Sequence, residues 1–234
     1  MKSLSATLYC NRVSKTISGK PVLNDISFSA YPGETIALIG PNGAGKTTLL
    51  KTLGGLIAPD RGEVNVLGRI MNPENRDMLL SQIGMLIGIP VFERGMSVQA
   101  ILRRHLAFMR CDWSPDNTLE RVGLTSMGDL PVDILSMGNR MRLALATALA
   151  HHPTLLLLDE PMNGLDPTGM KLFRRIIREE NERGATVIVS AHMLAQLEAI
   201  GDQVIVINHG SIKAQNAMND ISDLESYYFR HTQN

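Results

Sequence analysis

The stretch that most restricts what this chain can fold into is ETIALIGPNGAGKTT, residues 34–48. Its first half is a continuous apolar run, the pattern of a parallel strand buried on both faces. The second half, GPNGAGKTT, fits G-x-x-x-x-G-K-[ST] at every fixed position, and a helical pattern follows from Lys46. A polyphosphate concentrates negative charge in a small volume, and this turn has the chemistry to hold it. Gly43 and Gly45 permit backbone conformations closed to larger residues. Successive N–H groups of the loop formed by Gly40, Pro41, Asn42, Gly43, Ala44 and Gly45 can then converge on phosphate oxygens. The helix adds its positive end, Lys46 a mobile cation, and Thr47, beside Thr48, a hydroxyl suited to Mg²⁺. A plain glycine-rich turn is the bland alternative. A strand before, a helix after and a match at every position favour the phosphate loop.

A chain of 234 residues is long enough for one large α/β domain or two small ones. With 23 basic and 23 acidic residues, no global field draws it to nucleic acid or acidic lipid. Two cysteines, Cys10 and Cys111, make no disulfide framework, and no basic-then-apolar segment opens the chain. A reducing, cytosolic setting is expected. The longest apolar stretch, IGMLIGIPVF at 83–92, is too short for a spanning helix of ~20 residues; Ile83 to Ile87 read as a buried strand and Gly88 to Phe92 as a loop after it.

Around the phosphate loop, strands and helices alternate. DISFSAYPG (25–33) reads as a half-buried strand ending in a Pro-Gly turn, with residues 4–10 as its partner. GEVNVLG (62–68) is another short strand. From about Asn75 to Ala150 the pattern turns helical, with Val98, Ile101, Leu102, His105 and Leu106 at near-helical spacing. Then come TLLLLDE, a helix from Pro167, ATVIVSAH, a helix from Met193, and QVIVINHG. This order predicts an α/β fold with a mostly parallel sheet and a helical block inserted in mid-chain. The last twenty or so residues are polar and too few for a second domain.

Three further segments carry candidate chemistry. TLLLLDEP (154–161) is an apolar strand ending in two carboxylates, at the edge where α/β sheets bind ligands. Asp159 is placed to hold Mg²⁺ through water and Glu160 to polarise an attacking water. Alone, Asp-Glu at a strand end is more often a helix cap, but beside a phosphate loop the functional reading prevails. LSMGN (135–139) begins a helix with Ser136 as its natural N-cap. His192, in VSAHML after the next strand, lies beside the same crevice.

Taken together, the chain resembles the nucleotide-binding subunits of ATP-binding cassette (ABC) transporters, over essentially its whole length. The phosphate loop, the LSMGN signature, Asp159-Glu160, the aspartate loop NGLD (163–166) and the switch histidine His192 appear in the family's order. The resemblance implies a single ABC ATPase domain over 1–234, with N-terminal antiparallel strands. Its P-loop core would span about 1–74 and 151–234, and its helical subdomain about 75–150. It implies ATP and Mg²⁺ as ligands, with Lys46, Glu160 and His192 serving catalysis and Thr47 and Asp159 the metal. It also implies a head-to-tail homodimer in which Ser136 and Gly138 of one copy close on the γ-phosphate held by the other. A separate transmembrane permease would then place the chain in the cytoplasm, peripheral on the inner face of the cell membrane.

Departures from the family pattern are informative. Met137 and Asn139 replace the usual glycine and glutamine of the signature. Ile17 stands where an aromatic ring often stacks on adenine, so the base contact is expected to be apolar. Gly88 stands where a glutamine usually sits, although IGxLI-x-x-P and DEPxNGLDPxG resemble bacitracin- and lantibiotic-type exporters. Glu93, a carbonyl or water would have to serve in its place. Of the 13 methionines, most should fill core gaps, with Met85 and Met96 the first candidates for an interface. The leading reading is an ATPase subunit powering export of a drug, antimicrobial peptide or similar compound. A soluble ABC-type ATPase acting on DNA or the ribosome is second, and a small-molecule kinase third; no nucleic-acid face is evident.

Overall fold

The computed structural model describes residues 5–191 and 194–233. In chain order the first half contains β1 (Leu8–Ile17), β2 (Lys20–Ala30), β3 (Thr35–Ile39), α1 (Lys46–Leu53), β4 (Arg61–Val66), β5 (Arg69–Ile70), α2 (Arg76–Leu80), β6 (Ile83–Leu86), α3 (Val98–Phe108) and α4 (Pro115–Arg121). The second half contains α5 (Met137–Leu149), β7 (Leu155–Asp159), α6 (Pro167–Glu182), β8 (Thr186–Ser190), α7 (Leu194–Glu198), β9 (Gln203–Asn208), β10 (Ser211–Ala217) and α8 (Leu224–Thr232).

The continuous apolar runs become central strands because both of their faces are covered. Six strands form the main sheet in the order β10-β9-β3-β8-β7-β6, all parallel except β10. In β7, Leu155 and Leu157 point into a core shared with α1 and the N-terminal strands. Leu156 and Leu158 point into the opposite core, shared with α3, α5 and α6. All four are fully buried, each contributing roughly 1.5–3 kcal/mol. The same two-sided division sorts Ile36 and Leu38 from Ala37 and Ile39 in β3.

The N-terminal half folds into a second, antiparallel sheet, β2-β1-β4-β5. Its first strand extends beyond residue 10 to Ile17, further than the sequence pattern suggested. Ser18 and Gly19, with φ of 49° and 76°, then form a two-residue hairpin that pairs Ile17 with Lys20.

The block read as mostly helical from 75 to 150 holds one strand, and it is the one that the apolar run from Ile83 predicts: β6 pairs in parallel with Leu155 to Leu158 and closes one edge of the main sheet. The short α2 precedes it, and the longer helices of the block begin at α3. A Cβ on Gly84 would lie 2.1 Å from the Ala148 carbonyl, so the bare backbone of β6 is what lets α5 seat directly on it. Two contacts tie the inserted helices to the core. Arg121 of α4 pairs with the buried Glu180 of α6 at 2.7 Å, and Arg183 neutralises the same carboxylate at 2.5 Å. His151, at the end of α5, has its Nε2 3.2 Å from the Ile83 carbonyl and stacks obliquely on His105 of α3. Burial, and secondarily His105, push its pKa down to about 4, so it stays neutral and donates to that carbonyl.

The polar C-terminal residues are not a loose tail. They build β10 and α8, whose Leu224 is buried and whose Tyr227 and Tyr228 pack on the core. Met85 and Met96 also pack against the cores rather than lying open as an interface. Among the described residues the exposed methionines are Met78 and Met137.

Candidate functional site

β3 ends at Ile39, and the loop at 40–45 carries the chain into α1. A Cβ at Gly40 would fall 2.1 Å from the Ile207 carbonyl of β9, so only glycine lets β3 leave the sheet here. Gly45 has φ 107° and backs onto the Val22 carbonyl, 2.8 Å from where its Cβ would be. It is also the N-cap of α1, and no side chain caps that helix. The first-turn N–H groups are therefore not taken by a capping side chain, an arrangement suited to an anion. Lys46, only 6% exposed, donates from Nζ to the carbonyls of Gly40 at 2.7 Å and Pro41 at 3.1 Å. Burial lowers its pKa, while the carboxylates of Glu160 and Asp159 oppose that effect.

The end of β7 completes the cluster. Asp159 is buried, and both of its oxygens are engaged. Oδ2 accepts the Thr47 hydroxyl at 2.7 Å and Oδ1 accepts the Ser190 hydroxyl at 2.7 Å. Ser190, the last residue of β8, was not singled out in the sequence; its local signal is that it stands two positions before His192 in the chain. The Glu160 N–H donates to both the carbonyl and the hydroxyl of Ser190. Glu160 itself has φ 51°, a left-handed conformation that few residues other than glycine adopt. That reversal, rather than strand alternation, lets adjacent carboxylates serve one crevice. Asn163 then donates its side-chain amide to Glu160 Oε2 at 2.7 Å.

Ser136 and Gly138 are held elsewhere. Ser136 caps α5 by accepting the Asn139 N–H, as the sequence predicts. A Cβ at Gly138 would sit 2.9 Å from the Gly164 carbonyl, and Met137 lies over Gly164 from the other side. Asp166 caps α6 through the Gly169 N–H and pairs with Arg142 of α5 at 3.1 Å. The start of α5 is thus fastened to the 163–166 turn of its own chain. Ile17 ends β1, 40% exposed. Gly88 has φ 78°, with open space where a side chain would project. His192 and Met193 lie outside the described residues.

Residues 23–163, from β2 through the loop, the α5 start and the strand end to Asn163, match the family described as ABC transporter. The chain belongs to the ABC transporter family. This ABC cassette is 34% identical to an uncharacterised ABC transporter ATP-binding protein, YcbN, of Bacillus subtilis, over 93% of the chain and 72% of the relative. Identity is 32% to the bacitracin transport ATP-binding protein BcrA of Bacillus licheniformis, covering 89% of the chain and 69% of the relative. It is 33% to the lantibiotic transport ATP-binding protein SrtF of Streptococcus pyogenes, covering 94% and 95%. Among solved structures, an ATP-binding subunit of an ABC transporter superposes with TM-score 0.89 at 25% identity, covering 96% of this chain and 98% of that one. The protein is a transport ATPase: it binds ATP and hydrolyses it.

Proposed function

We propose that two copies of this cassette pair head to tail around ATP and drive a separate membrane permease that exports an antimicrobial peptide, drug or similar compound. The observation that carries this reading is the division of the site into two halves. The phosphate loop, Lys46, Thr47, Asp159 and Glu160 form one half. Ser136 and Gly138, at the start of a capped helix, form a second anion-directed surface fastened to the 163–166 turn instead. A second copy supplies the surface that one copy lacks, and ATP joins the two.

In this reading Glu160 takes the proton of the attacking water, while Lys46 and the first turn of α1 hold the phosphates. His192 is read, on the family resemblance, as the switch residue for the γ-phosphate. Thr47 directly, and Asp159 through water, would hold Mg²⁺, which would supply neutralisation of the phosphate charge. They fit that ion, because Mg²⁺ takes one or two protein oxygens together with phosphates and water. Among the described residues no cluster of three or more His, Cys, Asp or Glu side chains competes as a metal site. Ile17, at the hairpin end beside β2, supplies an apolar contact to the base.

No helix among the described residues is long and apolar enough to cross a membrane, and in this reading the pathway belongs to a separate permease. The permease contact is the loop after β6. Ile89 is 78% exposed and Val91 90% exposed, beside a groove of about 640 Å³ rimmed by Phe92, Arg94, Val132 and Arg140. This placement makes the cassette peripheral on the cytoplasmic face. The bacitracin and lantibiotic relatives support export as the direction.

Cysteine cross-linking tests the head-to-tail arrangement. A chain carrying Asn42→Cys mixed with one carrying Ser136→Cys should give a disulfide-linked pair only with ATP. Cross-links between two Asn42→Cys chains, or no ATP dependence, would reject the arrangement. Gly88 offers a second test. Its φ of 78° penalises any side chain by roughly 1–2 kcal/mol, so Gly88→Ala is the proper reference for Gly88→Gln. Against that reference, Gly88→Gln should raise kcat about tenfold. Equal rates for the two variants would show that the loop needs no polar side chain.

A further inference from the structure

We infer that Asn163 is a positioning residue for hydrolysis, holding the Glu160 carboxylate in one orientation through its side-chain amide. This rests on the reading above that Glu160 is the base. A glutamate at the end of a strand has three side-chain torsions to fix before one oxygen can face a water. In this chain a short turn supplies one such hold. The Asn163 amide Nδ2 donates to Glu160 Oε2 at 2.7 Å, and the Asn163 main-chain N–H donates to the Glu160 carbonyl at 3.2 Å. Both ends of the pair are thereby tied to one loop. Holding Oε2 gives Oε1 a single direction. A neutral amide does this without adding or removing charge beside Lys46 and Asp159.

The turn that carries Asn163 is itself rigidly seated. Its Gly164 carbonyl lies close against Gly138, and Met137 covers Gly164. Two residues further on, Asp166 is held at once by the Gly169 N–H and by Arg142. The start of α5 therefore clamps the turn on both sides of Leu165, and the amide of Asn163 is presented from a fixed base rather than from a mobile loop. Orientation of a reacting group is worth orders of magnitude in rate, so loss of this one contact should be visible in turnover.

The experiment is steady-state ATP hydrolysis by the full chain bearing Asn163→Ala, or Asn163→Leu, which is close to asparagine in size, is neutral and cannot donate. Both should lower kcat about tenfold while KM for ATP stays within twofold and the melting temperature is unchanged. A double-mutant cycle supplies the readout that a merely structural role would not move. In the Glu160→Gln background, followed by single-turnover measurement, Asn163→Ala should cost less than a further twofold. Three results would overturn the inference: kcat within twofold of the parent in both variants, a loss carried by KM alone, or a full additional loss in the Glu160→Gln background. If Glu160→Gln itself retains parental turnover, the reading of Glu160 as base fails instead, and the two failures are distinguishable.

Discussion

Glu160→Gln should bind ATP as the parent does, hydrolyse it at least about 100-fold more slowly, and accumulate as an ATP-held pair. Glutamine has the same length and keeps a side-chain oxygen to accept the Asn163 amide, so the turn at 160–163 stays as built. The main-chain anchoring of residue 160 on Ser190 is untouched as well. What is lost is the ability to take a proton, which is worth roughly 10²–10⁴ in rate for a positioned base. ATP that joins two copies and is not consumed shifts the monomer–dimer balance by mass action. Light scattering with and without ATP reads the pair, and phosphate release reads the rate. A variant that remained monomeric with ATP and kept full activity would remove Glu160 from the mechanism and ATP from the interface.

Lys46→Ala should weaken ATP binding by about 100-fold or more. The side chain is almost wholly buried and its ammonium is held by two loop carbonyls; in the proposed reading it contacts the phosphates together with the first turn of α1. Each hydrogen bond to a charged group contributes about 1.5–3 kcal/mol, and a β/γ-phosphate contact by Lys46 is of that kind. Truncation also leaves Asp159 and Glu160 without the cation whose charge acts on both. The expected loss is therefore larger than that of one contact, and part of it should appear as reduced stability without nucleotide. Isothermal titration gives the affinity and thermal unfolding the stability. A dissociation constant within threefold of the parent would mean that backbone N–H groups alone hold the phosphates.

Much of this molecule can be read locally. The run ETIALIG, the turn GPNGAGKTT and the helix after it constrain one another over fifteen consecutive residues, and β3, the loop and α1 form as that pattern predicts. TLLLLDE was equally readable, because an uninterrupted leucine run is tolerated only where both faces are covered. Ser136 declares itself as a cap through short-range geometry that does not depend on the rest of the fold. The apolar run from Ile83 was readable as a buried strand as well, although its parallel partner, Leu155 to Leu158, lies some seventy positions later in the chain. The pattern failed at the C-terminus. The C-terminal residues looked merely polar, since a few apolar side chains in α8 are enough to dock it once β9 is in place.

The sequence by itself determined the loop, the metal and base candidates, and the order of the motifs, because each depends on residue types at fixed close spacing. Tertiary structure alone decided how they cooperate. It put Ser190 under Asp159, turned Glu160 out of its strand through a left-handed φ, brought Asn163 to its carboxylate, and fastened the start of α5 to the 163–166 turn. It also showed that Gly88 occupies a conformation that resists the side chain missing there. These are hydrogen bonds and close approaches between distant segments, and no local periodicity encodes them.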